Sequence, residues 1–376
     1  MSRHLHIVCS DVPWPADNGG AIDIMNRIRL LKKMDVSIHL HYFTENETGT
    51  PNELNQFCKS ISVYERKKRH KGFSAKLPYI VASRINENLI SNLQKDTNPV
   101  LLEGIHCTGI LPQLDLSKRK VVVRMHNEES SYYKELARAE SSFFKKLYFL
   151  HESKLLKKYN QHLPEECMYA CISKEDMHVF KDEYHLQHIK FLPAFPAWQQ
   201  ISGDEGMGNL CLYHGNLSVG ENEKAATWLL QNVFTKIRKP FVIAGKNPSK
   251  RLQKMAHLCQ HTCLVANPSE SELNDLIRKA HINVLPSFNK NATGMQLKLL
   301  HALFEGRHCV VNELMVRGTG LEAACHTGTT ANAFASIITQ LYHQPFTYEE
   351  IVLRKKLLGD TYDNEKNTRQ LIQYLY

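Results

Sequence analysis

Short apolar runs alternate along the chain with longer segments whose apolar positions recur every three or four residues. The runs predict buried strands, and the periodic segments predict amphipathic helices. In the first half the strands fall at 5–9, 37–43, 100–103, 120–125, 168–172 and 189–192, and the helices at 21–33, 76–94, 128–158 and 174–180. A second series follows, with strands at 210–214, 241–244, 262–265, 282–285 and 308–311, and helices at 221–232, 249–258, 269–279 and 294–304. Two further helical patterns, 348–358 and 364–375, have no strand after them. Such alternation predicts an α/β protein with parallel sheets covered on both faces.

Between the two series lie Pro193-Ala194-Phe195-Pro196 and the glycine-rich polar stretch 202–208, together a linker signal. The expected organisation is a Rossmann-like domain over 1–195, a linker over 196–208, a second Rossmann-like domain over 209–345, and terminal helices over 346–376. Doubly wound sheets bind ligands beyond the carboxyl ends of their strands. Two such domains facing each other would form a cleft lined by loops from both, the expected active site.

Composition narrows the class. With 376 residues, 43% hydrophobic and 23% charged, the chain suits two soluble domains. No apolar run approaches the roughly 18 residues of a membrane span. Met1-Ser2-Arg3-His4 leads at once into the first strand, leaving no room for a signal peptide, so a cytoplasmic location is expected. Of the ten cysteines, Cys9, Cys171, Cys211 and Cys309 sit inside apolar strands, as reduced thiols do. His257, Cys259, His261 and Cys263 have metal-capable side chains but lack a second CxxC-type pair, and ordinary packing is expected there.

The formal charge of +9 is partly local. Arg66, Lys67, Lys68, Arg69, Lys71 and Lys76 form one run. Lys145, Lys146, Lys154, Lys157 and Lys158 share a helical segment with Phe143, Phe144, Leu147, Tyr148 and Phe149. A basic helix bearing aromatics suits an anionic lipid surface. No nucleic-acid-binding motif accompanies the charge, so nucleic acid is not an expected partner.

The most specific chemistry lies near the end of the second series. Pro286-Ser287 follows a strand, Gly294-Met295-Gln296-Leu297-Lys298 opens a helix, and Gly306 stops it before the next strand. Gly318-Thr319-Gly320 is a further turn. A glycine at a helix mouth frees N–H groups for an anion, the helix dipole favours phosphate there, and Lys298 stands one turn in. This order of residues resembles the donor-sugar half of GT-B glycosyltransferases, and among them the large, mostly retaining family numbered four.

The resemblance implies two Rossmann-like domains, a nucleotide-diphosphate sugar as co-substrate, and the terminal helices crossing back to the first domain. It assigns the donor phosphates to Gly294, Met295 and Lys298. Where that family commonly has a ribose-binding Glu before the helix Ala, this chain has His301. An acidic residue often found upstream of the glycine is replaced by Asn291. Both departures mark a divergent branch.

Four loops complete the expected site. Pro13-Trp14-Pro15-Ala16-Asp17-Asn18-Gly19-Gly20 ends in paired glycines without the Gly-x-Gly-x-x-Gly fingerprint, which argues against a nicotinamide enzyme. By resemblance, Gly19 and Gly20 approach the donor phosphate while Asp17 and Asn18 face the acceptor. His126, at the end of the 120–125 strand, would touch the reacting sugar, with Asn127 beside the acceptor. Glu128 and Glu129 suit a helix start.

Gly215 and Asn216 follow the first strand of the second domain and would lie close to the donor. The Arg and Lys usual after that turn are missing, with Ser218, Glu221 and Asn222 in the region instead. The positive charge then falls to Lys246, after Gly245. Ser269 and Glu272 have capping-box spacing and mark a helix start.

The resulting expectation is a glycosyltransferase acting on a hydroxyl of a saccharide or lipid-linked saccharide. His126, Lys246 and Lys298 carry its chemistry. Retention is implied by the resemblance alone. No Asp-x-Asp tripeptide occurs, so no bridging metal and no bound cofactor are expected. A nucleotide-sugar 2-epimerase and a catalytically silent binding protein share the same plan and stay open as alternatives.

Overall fold

A computed structural model describes residues 3–16, 18–45, 49–288 and 296–376, except for the side chain at 139. Asp17, Asn291, Gly294 and Met295 therefore lie outside the described residues. The chain divides into two compact units, one running to Ala197 and including Asn364–Tyr376, the other running from Trp198 to Asp363.

The first unit holds β1 (Arg3–Cys9), β2 (Val36–Thr44), β3 (Ser60–Glu65), β4 (Val100–Glu103), β5 (Val121–Met125), β6 (Met168–Cys171) and β7 (Ile189–Phe191). They form one parallel sheet in the order β3-β2-β1-β4-β5-β6-β7. Its helices are α1 (Gly19–Lys33), α2 (Tyr79–Ala82), α3 (Glu87–Leu93), α4 (Glu129–Ala139), α5 (Phe143–Asn160) and α6 (Lys174–Asp182). Alternate strand residues feed two cores, as the strand period requires. Val100, Leu102 and Val123 pack with Leu89, Leu156 and Phe180 on one face. Leu101, Val122 and Ala170 pack with Met25, Ile28 and Leu371 on the other.

The second unit holds β8 (Leu210–His214), β9 (Phe241–Gly245), β10 (Thr262–Ala266), β11 (Ala280–Leu285), β12 (His308–Val311) and β13 (His326–Thr327). The sheet is again parallel, in the order β10-β9-β8-β11-β12-β13. Its helices are α7 (Gly220–Trp228), α8 (Lys250–His257), α9 (Glu270–Lys279), α10 (Leu297–Glu305), α11 (Glu313–Val316), α12 (Ala331–Leu341) and α13 (Tyr348–Tyr362). Helix α14 (Asn364–Leu375) returns to the first unit.

Three departures from the sequence pattern have local causes. The predicted helix over 128–158 breaks into α4 and α5 at Glu140-Ser141-Ser142. There the Ser142 N–H donates to Glu140 Oε1 at 2.9 Å, a side-chain bond that competes with the helix ladder. The predicted helix over 76–94 becomes α2 and α3, because Asn86 caps α3 by accepting from the N–H groups of Asn88 and Leu89. Residues 346–376 are not one block. Helix α13 belongs to the second unit, where buried Arg354 donates to the carbonyls of Leu303, Gly306 and Arg307, while α14 buries Leu371 and Leu375 in the first. Strands β3 and β13 and helices α11 and α12 lie outside the predicted set; β13 is two residues long.

A polar seam crosses the first sheet. His6 Nε2 donates to Asp96 at 3.1 Å, His41 Nε2 donates to His6 Nδ1 at 2.9 Å, and the Tyr64 hydroxyl donates to His41 Nδ1 at 2.9 Å. Asn92 closes the chain by donating to that hydroxyl oxygen at 2.9 Å. The three links through His6 and His41 use neutral imidazoles. Burial lowers the pKa of His6 and brings His41 down to about 3, with neighbouring histidines adding to both shifts.

Candidate active site

In each sheet the strand order reverses beside the first strand, between β1 and β4 and between β8 and β11. These switch points open crevices at the carboxyl ends. In the second unit, β8 ends at His214 and β11 at Leu285, with Ser287 two residues on. Ser287 is locked in place. Its N–H donates to Asn312 Oδ1 at 2.9 Å, Asn312 Nδ2 donates back to its carbonyl at 2.6 Å, and its hydroxyl donates to Glu221 Oε1 at 2.9 Å. Gln296 Nε2 donates to the same hydroxyl at 3.0 Å.

Lys298 enters this crevice from the first turn of α10. Its Nζ donates to Asn222 Oδ1 at 2.8 Å and lies 3.5 Å from the Tyr213 hydroxyl. Burial brings its pKa down to about 8, while the Glu221 carboxylate pulls it upward. The ammonium is thus charged at neutral pH, poorly hydrated and already oriented. Such a group gains most from an arriving anion, because the desolvation cost is met by the fold. Asn222 is itself held, donating to the Asn216 carbonyl at 2.9 Å.

The other second-unit residues have mixed placements. Asn216 spends its side-chain oxygen on Ser218, accepting from its N–H at 3.1 Å and its hydroxyl at 2.7 Å, so it shapes the turn. Gly215 begins that turn, its N–H donating to the Ala244 carbonyl at 3.2 Å. Gly245 is demanded by packing, since a Cβ there would fall 1.9 Å from the Gly215 carbonyl oxygen. Lys246 follows at the end of β9, where its carbonyl accepts from Leu217 N–H at 2.9 Å.

His301 is buried on α10. Its Nε2 meets Asn274 Oδ1 at 2.7 Å, its ring stacks on Trp198, and its edge meets His214. Burial, His214 and Arg278 hold its pKa well below the ordinary histidine value, so it is neutral. Gly294 and Met295, the expected helix mouth, lie outside the described residues.

In the first unit the crevice is built on buried charge. Glu103 ends β4 and divides its carboxylate, Oε1 accepting from Arg27 Nη2 at 2.6 Å and Oε2 meeting His126 Nε2 at 3.2 Å. Arg27 also donates to Asp23 Oδ2 at 2.8 Å, and Asp23 Oδ1 accepts from Phe195 N–H at 2.6 Å. Arg124 lies 3.6 Å from Asp23 and donates to the carbonyls of Leu192 and Pro193. Burial raises the pKa of Asp23, but Arg27 and Arg124 outweigh it and hold the group at about 2. Glu103 is likewise kept low, against burial, by Arg27 and His126.

His126 therefore stands beside a fixed anion at the mouth of β5, its side chain 23% exposed. The carboxylate orients the ring. Gly104, at φ +88°, makes the room, because a Cβ there would lie 2.9 Å from His106 Nδ1. Asn127 Nδ2 donates to Glu129 Oε1 at 3.3 Å, and burial raises the Glu129 pKa. Glu128 is the cap of α4, accepting from Ser130 and Ser131 N–H. Asn18 caps α1 by accepting from Ala21 N–H at 3.0 Å, and Gly19 and Gly20 are the helix's first, exposed residues. That first turn carries no acidic side chain. Asp17 lies outside the described residues.

The structure thus brings Lys298 together with Asn222, Tyr213, Glu221 and Ser287, and His126 together with Glu103. Glu103, Asn274 and Asn312 carry no sequence signal; each is a polar residue in or beside an apolar segment, meaningful only once its partner is known.

Two parallel doubly wound sheets, each with polar side chains gathered at its switch point, give the chain the GT-B architecture. Residues 208–344 match the family described as Glycosyl transferases group 1, and the protein is a glycosyltransferase similar to the large family numbered four. A Klebsiella pneumoniae protein described as an uncharacterised 44.6 kDa protein in the cps region is 28% identical over 332 residues, 84% of either chain. Sucrose-phosphate synthase from Thermosynechococcus elongatus shares the fold, with a TM-score of 0.72 at 11% identity over 99% of this chain and 98% of its own. TarM does so with a TM-score of 0.70 at 10% identity, over 100% and 99%. A point mutant of S. aureus TarM, in complex with fondaparinux, alpha-GlcNAc-glycerol and UDP, also matches, with a TM-score of 0.67 at 10% identity over 99% of both chains.

Proposed function

We propose that the protein moves a sugar from a nucleotide-diphosphate sugar to a hydroxyl of a saccharide or lipid-linked saccharide, with retention and without a bridging metal or bound cofactor. The observation that carries this reading is Lys298, a buried ammonium pre-oriented by Asn222 at the β8/β11 switch point. The bond from the anomeric carbon to the diphosphate oxygen breaks, and a bond to the acceptor oxygen forms. The departing phosphate takes the acceptor proton, so no dedicated protein base is required. Lys298, with Lys246 as the second cation, offsets the charge growing on the diphosphate. His126, oriented by Glu103, holds a sugar hydroxyl, with Asn127, Asn18 and Asp17 on the acceptor side.

The cps-region relative supports a polysaccharide product. Among the described residues no helix is long and apolar enough to cross a membrane. Helix α5 instead exposes Phe143, Phe144 at 81%, Leu147 and Tyr148 beside Lys145 and Lys146, which supports docking to an anionic lipid surface at the membrane's inner face.

The deciding experiment is a thermal-shift panel of nucleotides and nucleotide sugars, followed by incubation of the stabilising donor with and without saccharide acceptors. Release of nucleoside diphosphate coupled to a lengthened acceptor supports transfer. Conversion of the donor to an epimer without transfer would replace this reading with epimerisation. Donor affinity unchanged by added Mg2+ supports metal-independent binding.

A further inference from the structure

At the amino ends of β12 and β13, opposite the ligand-bearing ends of the strands, three metal-capable side chains converge. They are His308, first residue of β12, His326, first residue of β13, and Glu350, in the first turn of α13. One ligand atom from each lies within 4.8 Å of the other two. Glu350 Oε1 is 3.1 Å from His308 Nδ1 and 4.0 Å from His326 Nε2. Tetrahedral zinc, with ligands at about 2.0–2.1 Å, spaces its ligand atoms roughly 3.3 Å apart. The observed separations bracket that value.

The surroundings are those of a prepared ligand set. His308 is 2% exposed, and its Nε2–H donates to the Gln344 carbonyl at 3.1 Å. That bond occupies Nε2 and turns Nδ1 toward Glu350, the outer arrangement typical of metal-bound imidazole. Glu350 Oε1 stands 3.1 Å from Nδ1, close but without a well-aligned hydrogen bond. The ring is held by edge contacts to His281 and Phe346. Glu350 is divided as well: Oε2 accepts from Thr347 N–H at 3.0 Å in a capping box, which leaves Oε1 for the histidines. The nearby Arg354 guanidinium is committed to the carbonyls of Leu303, Gly306 and Arg307.

We propose that His308, His326 and Glu350 bind one structural divalent cation of the zinc class, with water completing the shell. Two imidazoles and one carboxylate select Zn2+, Co2+ or Ni2+ over Mg2+. The cation ties the two-residue edge strand β13 and helix α13 to the sheet. The site is independent of the donor crevice and needs no catalytic role. The Cys and His group at 257–263 is not its rival among the described residues, where the three-ligand convergence falls on 308, 326 and 350.

The test uses the full-length chain after chelator treatment, titrated with ZnCl2 by calorimetry and with Co2+ by visible absorption. His326→Ala alters a half-exposed residue, and Glu350→Gln keeps a side chain able to serve the capping box, so both variants should fold. His257→Ala/His261→Ala is the control. The expected result is one Zn2+ per chain, a higher Tm reversed by chelator, and a Co2+ band. Affinity should fall at least about tenfold in each site variant and stay unchanged in the control. A flat titration of the wild type overturns the proposal in favour of a simple histidine–carboxylate contact. Site variants that bind as wild type does also overturn it.

Discussion

Trp198 lies flat on His301, ring centroids 4.0 Å apart and planes 17° from parallel. The stack covers one face of an imidazole whose Nε2 is already bonded to Asn274. The residue that the sequence resemblance set against the ribose is therefore built into the packing of α10. His301→Ala should lower the unfolding free energy by about 2 kcal/mol, from the lost stack and the orphaned Asn274 oxygen. Nucleotide affinity should change by less than about threefold, since no more than one weak hydrogen bond is at stake. Urea unfolding and calorimetry on the same protein separate the two effects. A large affinity loss rescued by His301→Glu would return the ribose to this position.

Lys298 should give donor binding a basic limb. With its pKa near 8 in the free protein, affinity for a nucleoside diphosphate should hold below that pH. Above it, affinity should decline by up to about tenfold per pH unit, as the free lysine loses its proton. Lys298→Ala should weaken binding about 10- to 100-fold, the scale of a charged hydrogen bond, and flatten that limb. Lys246→Ala should weaken binding while leaving the limb in place. Equal affinity in wild type and both variants would remove the phosphate site from this crevice.

His126 and Glu103 should separate by kind of damage. His126→Ala leaves Arg27 with both carboxylates, so the expected loss is in transfer rate, with donor affinity and Tm close to wild type. Glu103→Gln removes a buried partner of Arg27 and should cost about 3–5 kcal/mol of stability. Denaturant unfolding paired with single-turnover transfer distinguishes them.

The histidine seam makes the first unit sensitive to acid. In the folded chain His41 stays neutral down to about pH 3, whereas an unfolded histidine protonates near 6.5. Between those values the unfolded state binds the extra proton, so stability is complete above 6.5 and is lost as pH falls. One fully displaced histidine contributes up to about 1.4 kcal/mol per pH unit. His41→Gln should flatten the pH dependence of urea midpoints between pH 4 and 6.5.

Helix α5 supplies the lipid prediction. Co-sedimentation with anionic vesicles should fall as salt shortens the screening length to about 3 Å at 1 M. Phe143→Ser/Phe144→Ser should weaken it further at every salt concentration. Binding to neutral vesicles as strong as to anionic ones would remove the charge contribution.

Most strands were legible because a parallel strand buried on both faces reads as an unbroken apolar run; β4, β8 and β12 fall where the pattern puts them. Strand β3 escaped because Ser60 and Ser62 interrupt its apolar positions at an edge. At the site, Lys298 was legible from its glycine-flanked helix, and His126 from its place after a strand. Glu103 was not: a single carboxylate closing an apolar run looks like an ordinary strand end until Arg27, from α1, reaches it. Asn312 is the same case. The pattern along a chain marks which residues are buried, but not which distant polar side chain each buried polar group will meet.

Helix α14 buries Leu371, Ile372 and Leu375 against the α1 side of the first sheet, and the Tyr376 hydroxyl donates to the His4 carbonyl at 2.7 Å. The second unit is thus spliced into the first, whose α1 and α14 layers are separated in sequence by all of it. On the ribosome the first sheet emerges with the α14 strip of one flank open beside α1, and it stays so while everything from Trp198 to Asp363 is made. At about 5–20 residues per second that wait lasts roughly 10–35 s. Through it the nascent first unit keeps a strip of apolar surface beside α1 open to water, until Leu371, Ile372 and Leu375 arrive to close it.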